Sequence, residues 1–597
     1  MKTKSLRLFK CLCATAALLL ASLHASAQWQ TQSFTSKLGW NAVFLHVDAS
    51  HDSIEAQVPI DIQELWLWKP NLSTLQFITS PQEPTDGGSQ WLVWKRGIPS
   101  ESTLVSLIGN AAYLVYNAGS SDANWSLKGK PIPPRHLWTT SGVNFIGYSS
   151  PPTSPPNFES FLLKGSSALL TDLEHFKYKG GPLINNPSKV LALRNEPVTR
   201  GQAFWIRSKS GSFNRYFGAF EASLQNADGV NYGESLSTYR IRLRNLTSEP
   251  ITVTLDHLAS ETPPAGETAI VGRPPLLLRG ELDIANLTFA FSQLNAGPQT
   301  FDLAPAGETE SSIEVVIGLD RAGMGGSPGD LFAGILRFTD SLGFTRIDVP
   351  SSADRAALSG LWVGDAKLSQ VRHNLSYFAR NPAGDTLFNE NGSPTVASNN
   401  VTFGATQRSF PLRLIVHVDE NGVSRLLQRV YVGINAELES QISVNETLIA
   451  PQYLFRARRI SATHLPWSKA NAPWTLAGAF DRGQTLAALV NTPHGDQAAN
   501  PFLHTFHPDH DNRNATFDQY LARGVESYDI NRNVSLTIAN PANTFNALTS
   551  GHRTLMGIYT ETMTLRGKGS EAKEYAAQGE FTLNRISTNP VIATGAP

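Results

Sequence analysis

The densest gathering of metal-ligating side chains lies late in the chain. His504, His507, Asp509, His510 and Asp511 fall inside the stretch Asn500–Asn514, which holds three of the chain's 14 histidines. Neutral imidazole and carboxylate are the ligands that Zn²⁺, Mn²⁺ and Fe²⁺ favour, whereas carboxylate and amide oxygens alone suit Ca²⁺. Pro508 keeps the three histidines off one regular helix, so the stretch reads as a loop whose side chains converge only if the fold brings them together. His494, Asp496 and Asp518 flank it, and Glu526 and Asp529 follow as candidates for a general base. No His-Glu-x-x-His pair is present, and Arg513 and Asn514 break the pattern of an EF-hand loop. Three readings stay open. The stretch is a polar surface loop in which Asp509 and Asp511 cap turns, or it holds a structural Ca²⁺ or Zn²⁺, or it is the metal centre of a hydrolase. The last would need an open coordination position and a general base.

A second source of chemistry is tryptophan. Trp66, Trp68, Trp91, Trp94 and Trp125 crowd into one early segment. Exposed rings of this kind stack on sugar faces, while buried ones fill a β core. Trp66 and Trp68 share one face of a strand, and Leu65 and Leu67 share the other, which marks a strand covered on both sides. Other catalytic signatures are missing: no Gly-x-Ser-x-Gly elbow stands before a helix, and no Walker loop or dinucleotide fingerprint occurs. The glycine-rich run Gly323–Gly329 lacks a phosphate-binding lysine and reads as a hairpin loop.

The elements that must position these residues begin after an export signal. Lys2, Lys4, Arg7 and Lys10 precede the apolar run Cys11–Leu23, and Ala25-Ser26-Ala27 offers a cleavage site. Residues 1–27 are therefore expected to be removed as a Sec-type bacterial signal peptide. Both cysteines lie in that segment, so the mature chain is expected to contain neither disulfide nor thiol chemistry. Removal takes four of the 49 Lys+Arg and leaves 45 against 50 Asp+Glu. That acidic balance argues against nucleic acid as a partner. No later apolar run is long enough to span a bilayer as a helix. Charged residues make up only 17% of the chain, against 46 Gly and 36 Pro, a composition of short strands and turns.

Residues 28–130 and 131–232 read as two copies of one β unit. The first opens with Gly39-Trp40-Asn41-Ala42-Val43-Phe44-Leu45 and closes with Gly109–Gly119, which contains Ala112-Tyr113-Leu114-Val115. The second opens with Gly142–Tyr148 and closes with Gly201–Gly211, which contains Ala203-Phe204-Trp205-Ile206. These opening and closing strands resemble a glycine-tryptophan-asparagine β module of secreted bacterial multidomain proteins. Residues 233–350 carry about seven short alternating strands, with Ala306-Gly307-Glu308 as a sandwich-type turn, and predict an Ig/fibronectin-like sandwich. Residues 351–597 predict a C-terminal β-rich domain, with a hairpin about Asp419–Gly422. Its segments GLWVGDAKLSQV, NPFLHTFHPDHDNRN, GVESYDINRNVSL, GIYTETMTLRG and GEFTLNRI resemble an uncharacterised module of secreted planctomycete- and verrucomicrobia-type proteins. The resemblance implies export and a β fold, and no activity.

The fold class expected is thus all-β, in tandem modules. The expected function is that of an exported, non-enzymatic binding or scaffold component at the cell surface, in the periplasm or outside the cell. Its expected partner is an extracellular polysaccharide or a surface protein. The alternatives are a metal-dependent hydrolase centred on residues 504–511 and a carbohydrate binder acting through the N-terminal repeats.

Overall fold

The computed structural model describes residues 28–69, 80–85, 90–136, 142–210, 216–226, 229–383, 385–435, 439–462, 472–494, 500, 528–566 and 572–594. It is mostly strand, 51% against 9% helix, so the all-β expectation holds. Two compact units divide it. One takes the described residues up to Asp320 together with Met324–Arg355, and the other takes Arg321–Gly323 and the residues from Ala356 onward.

The first unit starts with the strands of the first repeat: β1 (Gln30–Ser36), β2 (Gly39–Leu45), β3 (Val47–Asp48), β4 (Ile62–Trp68), β5 (Trp91–Lys95), β6 (Ala111–Asn117) and β7 (Ala123–Pro131). β1, β7 and β3 form one sheet, and a second runs β2-β6-β4-β5. The second repeat supplies β8 (Val143–Gly147), β9 (Leu173–Lys177), β10 (Ser188–Lys189) and β11 (Ala203–Ser208), in the order β8-β11-β9-β10. Both repeats thus place the opening strand beside the closing strand and the middle strand beyond it.

Alternation along these strands decides how the sheets stack. Val43, Leu45, Leu65, Leu67, Tyr113 and Val115 face Phe34, Trp125 and Leu127 of the β1–β7 layer. On the other face Phe44, Trp66, Trp68 and Trp91 meet Phe145, Tyr178 and Trp205 of the second repeat. Trp68 lies edge-on to Trp205 at 5.0 Å, and Phe145 stacks on Trp205 at 4.5 Å. The double-sided apolar strand read from Leu65–Trp68 is therefore an internal one. The far face of the second repeat is closed by a helix, Phe158–Gly165, whose Phe158, Phe161 and Leu162 are fully buried.

The sandwich contains β12 (Phe220–Leu224), β13 (Val230–Asn231), β14 (Thr238–Asn245), β15 (Ile251–Ala259), β16 (Ile270–Gly272), β17 (Leu276–Asp283), β18 (Thr288–Gln293), β19 (Gln299–Leu303), β20 (Ser312–Leu319), β21 (Leu331–Asp340) and β22 (Arg346–Asp354). One sheet runs β12-β14-β20-β17-β18 and the other β13-β22-β21-β15-β19. Tyr239, Ile241 and Leu243 of one meet Val253, Leu255 and Phe338 of the other. β12 and β13, which the sequence reading assigned to the second repeat, pair here with β14 and β22. Phe220 and Val230 are 3% and 1% exposed because the sandwich core, not the repeat, receives them.

The second unit is dominated by long strands: β23 (Gly360–Phe378), β24 (Val396–Val418), β25 (Ser424–Leu426), β26 (Arg429–Ile434), β27 (Ser440–Ser443), β28 (Arg458–Ser461), β29 (Trp474–Thr475), β30 (Thr485–Thr492), β31 (Asp529–Ala539), β32 (Thr554–Arg566) and β33 (Ala572–Ser587). Eight of them order as β29-β25-β24-β23-β33-β32-β31-β30, and β27-β26-β28 form a small second sheet. Trp362, Leu536, Phe581 and Leu583 fill the principal core, while Leu361, Ile415 and Val430 pack on the opposite face. The hairpin expected about Asp419–Gly422 joins β24 to β25, with Gly422 at φ 78°.

Candidate functional site

The five residues expected to ligate a metal, His504, His507, Asp509, His510 and Asp511, lie outside the described residues, as do Asp496, Asp518 and Glu526. Their stem is described. Thr492 pairs with Ile530 across β30 and β31, which are adjacent strands. Asp529 Oδ1 accepts from the His494 main-chain N–H at 2.9 Å and stands 3.3 Å from its Nδ1. Buried Asn500 donates from Nδ2 to the carbonyls of Pro493 at 3.0 Å and Tyr528 at 2.7 Å. Asp529 is thus a partner of His494 in the stem. Among the described residues no group of three or more His, Cys, Asp or Glu side chains is arranged to hold a metal ion.

Close to that stem the sheet carries a charge pair which the sequence reading passed over. Arg532 Nε donates to Glu561 Oε1 at 2.5 Å, and Tyr559 Oη donates to Glu561 Oε2 at 2.7 Å. Arg532 is 2% exposed and Glu561 9%. Burial and the Glu561 carboxylate hold the Tyr559 phenol well above its ordinary range. The signal was available: Leu555, Gly557, Tyr559 and Glu561 alternate on one face of β32, so Glu561 is a carboxylate in an otherwise apolar row.

The site with the fullest geometry lies in the first unit, along the seam between the repeats. The outer edge of β2 is fastened to the second repeat at two places. Trp40 N–H donates to Gly181 O at 3.0 Å, and Gly180 N–H and Gly181 N–H return bonds to Trp40 O and Leu38 O. Four residues on, Phe44 N–H donates to Gly201 O at 2.8 Å. Gln32 closes the same edge with its side-chain amide, donating to Phe44 O and accepting from His46 N–H, both at 2.8 Å. Gly39 makes the first fastening possible. Its φ is 87°, and a β-carbon there would stand 2.3 Å from Gly181 O.

Beside these fastenings β1 and β7, with the second-repeat segments around Lys177–Lys179 and Thr199–Gln202, enclose an open groove of about 790 Å³. Its surface is cationic and rich in donors. Lys37, Lys177, Lys179 and Arg200 line it, and among the described residues no aspartate or glutamate does, although Asp122 stands just outside, accepting from Leu38 N–H at 3.1 Å. Two of the four charges are already compensated: Lys177 pairs with Glu196, and Arg200 reaches Asp348 at 3.6 Å while donating to Arg346 O and Ser150 O. Lys37 and Lys179 are exposed, and neither ammonium has an ion-pair partner among the described residues. They stand at one rim: a β-carbon on Gly180 would lie 2.8 Å from Lys37 Cβ. Asn124 Oδ1 accepts from Thr35 Oγ1 at 2.7 Å, which leaves the Asn124 amide N–H groups to face solvent. The rings of Phe34, Trp125 and Tyr178 lie beneath, only 5–8% exposed. Trp66, Trp68, Trp91 and Trp94 are likewise core residues, 4–7% exposed, and offer no platform for a sugar face.

The sequence could not announce this groove, because its parts come from residues 33–43, 124–126, 177–179 and 199–202. A second cleft, about 590 Å³, lies where His136 and Phe217 stack at 4.0 Å, with Arg135, Glu221 and Arg244 among its described lining.

No family model matches the chain, and no curated protein matches it. A crystal structure from Bacteroides ovatus, described as structural genomics of unknown function, is similar over 62% of this chain and 96% of its own, at 7% identity and a TM-score of 0.17.

Proposed function

We propose that this chain is an exported, non-enzymatic β protein that serves as a surface or extracellular binding component, with the seam of its N-terminal repeats as the binding site. The observation that carries the reading is the groove itself. It is open, cationic and lined by hydroxyl and amide groups, and among the described residues its lining has no carboxylate to act as general acid, base or nucleophile. Volumes of a few hundred cubic ångströms with convergent polar groups are typical of ligand sites. The groove is also built on paired strands fixed at both ends, so it is formed before a ligand arrives. Export rests on the basic and apolar pattern of residues 1–27.

The test uses the chain from residue 28 to its end. Binding to an array of polysaccharides is measured with and without EDTA, beside turnover of polysaccharide, peptide and phosphoester substrates. The expected result is saturable binding that survives EDTA, with no turnover. Metal-dependent turnover lost in His507→Ala would overturn the reading in favour of a hydrolase.

A further inference from the structure

We infer that the groove between the repeats takes an acidic polysaccharide, its carboxylates held by Lys37 and Lys179 and its hydroxyls by the surrounding amides. The inference rests on the binding reading above and narrows it to one ligand class. Three observations point the same way. Lys37 and Lys179 sit together at one rim with no ion-pair partner among the described residues, while the lysines elsewhere on the repeats mostly have one: Lys95 with Glu101, Lys128 with Glu261, Lys177 with Glu196 and Lys189 with Glu174. An anion laid between them gains an ion pair with each and displaces none already made.

The second observation is the donor bias of the walls. With its oxygen occupied by Thr35, Asn124 presents N–H groups, and Gln202 adds a side-chain amide with no partner among the described residues. Such a lining matches carboxylate and hydroxyl oxygens. The third is the depth of the rings. Peptide recognition draws on exposed aromatic or aliphatic anchors, and Phe34, Trp125 and Tyr178 are too deeply buried to provide them. The same burial removes the ring stacking by which a neutral sugar would be held. What remains on the surface is charge and hydrogen bonding, which selects an acidic, hydroxylated polymer over an acidic peptide or a neutral glycan.

The experiment is calorimetric titration of the chain from residue 28 onward with oligogalacturonate, oligoalginate, poly-glutamate and dextran, at low and high NaCl. Lys37→Gln, Lys179→Gln and the double variant are compared with Lys367→Gln, which removes an exposed lysine from the other unit. Each single groove variant should weaken uronate binding about threefold and the pair about tenfold, and added salt should weaken it further. Lys367→Gln should leave it unchanged, and poly-glutamate and dextran should bind poorly. Equal loss in Lys367→Gln, or no loss in the double variant, would overturn the inference. Binding of dextran but not of the uronates would overturn it while leaving the binding reading intact. Binding of poly-glutamate in preference to uronates would reassign the groove to acidic protein. Failure of every polymer here to bind would overturn the inference, while binding on the wider array would keep the binding reading.

Discussion

Asp348 shows how much one side chain carries in this chain. It is 3% exposed and faces three guanidinium groups: Arg337 Nε at 2.7 Å, Arg346 Nη2 at 2.7 Å and Arg200 Nη2 at 3.6 Å. Burial alone would raise its pKa, but the arginines outweigh burial and bring it down to about 2. Arg200 comes from the second repeat and Asp348 from the sandwich, so the cluster joins two modules of the first unit. Asp348→Asn leaves three charges facing one another, and a loss of about 3–5 kcal/mol is expected by urea unfolding. A loss below ~1 kcal/mol would mean that the arginines find other partners. The buried histidines set a separate acid limit. Burial lowers His175 to about 3 and His257 to about 4, and holds His46 well below its ordinary value. Below pH ~6.5 the unfolded chain takes up protons on these groups that the folded chain refuses, so stability falls as pH falls. His175 and His257 each account for about 2 kcal/mol by pH 5, and His46 acts in the same direction. Asp348 adds its loss only lower, as pH drops from about 4 toward 2. The melting temperature should therefore decline between pH 7 and 5, and a flat profile there would contradict the assignment of these imidazoles as buried and neutral.

At the scale of the element, Gly39 and the strand it opens do the work of alignment. Alanine there meets both the positive φ and the Gly181 carbonyl, and should cost about 2–3 kcal/mol. Gly97 has φ 69° with nothing within 4 Å of an added β-carbon, so Gly97→Ala should cost only the backbone part, about 1 kcal/mol. Equal costs at the two positions in urea titrations followed by tryptophan fluorescence would show that the fastening to Gly181 carries no weight. The strand opened by Gly39 was legible from the sequence, because an apolar run entered through glycine and repeated at Gly142 has few other readings, whereas Trp91–Lys95 before Gly97 was not read as a strand. The alternation of β14 and β15 was equally plain, with Tyr239, Ile241, Leu243 and Ile251, Val253, Leu255 all turned inward. The extent of β23 and β24, 19 and 23 residues, was not legible. Their outer halves carry mixed polar residues with exposed Val371, Val401 and Phe403, and no one-sided burial writes a pattern into them. The groove was hidden for a different reason, since contact between Lys37 and Gly180 is a fact of tertiary pairing that no local window contains.

Across the first unit, stability depends on layers that share side chains rather than on self-contained modules. Trp205 is fully buried and touches Trp68, Trp91 and Phe145, so one ring from the second repeat completes the core of the first. Trp205→Ala should cost about 3–5 kcal/mol and should loosen both repeats together in hydrogen exchange. Loosening confined to residues 142–210 would refute a shared core. The sharing also bears on how such a chain could have arisen. A protein with one copy of the unit would show Phe44, Trp66, Trp68 and Trp91 to water, and an aromatic patch of that kind seeks its own kind. A single copy is therefore expected to pair with a second copy of itself. Within one polypeptide that pairing does not depend on concentration, and both halves contribute to the groove, Lys37 from the first and Lys179 from the second.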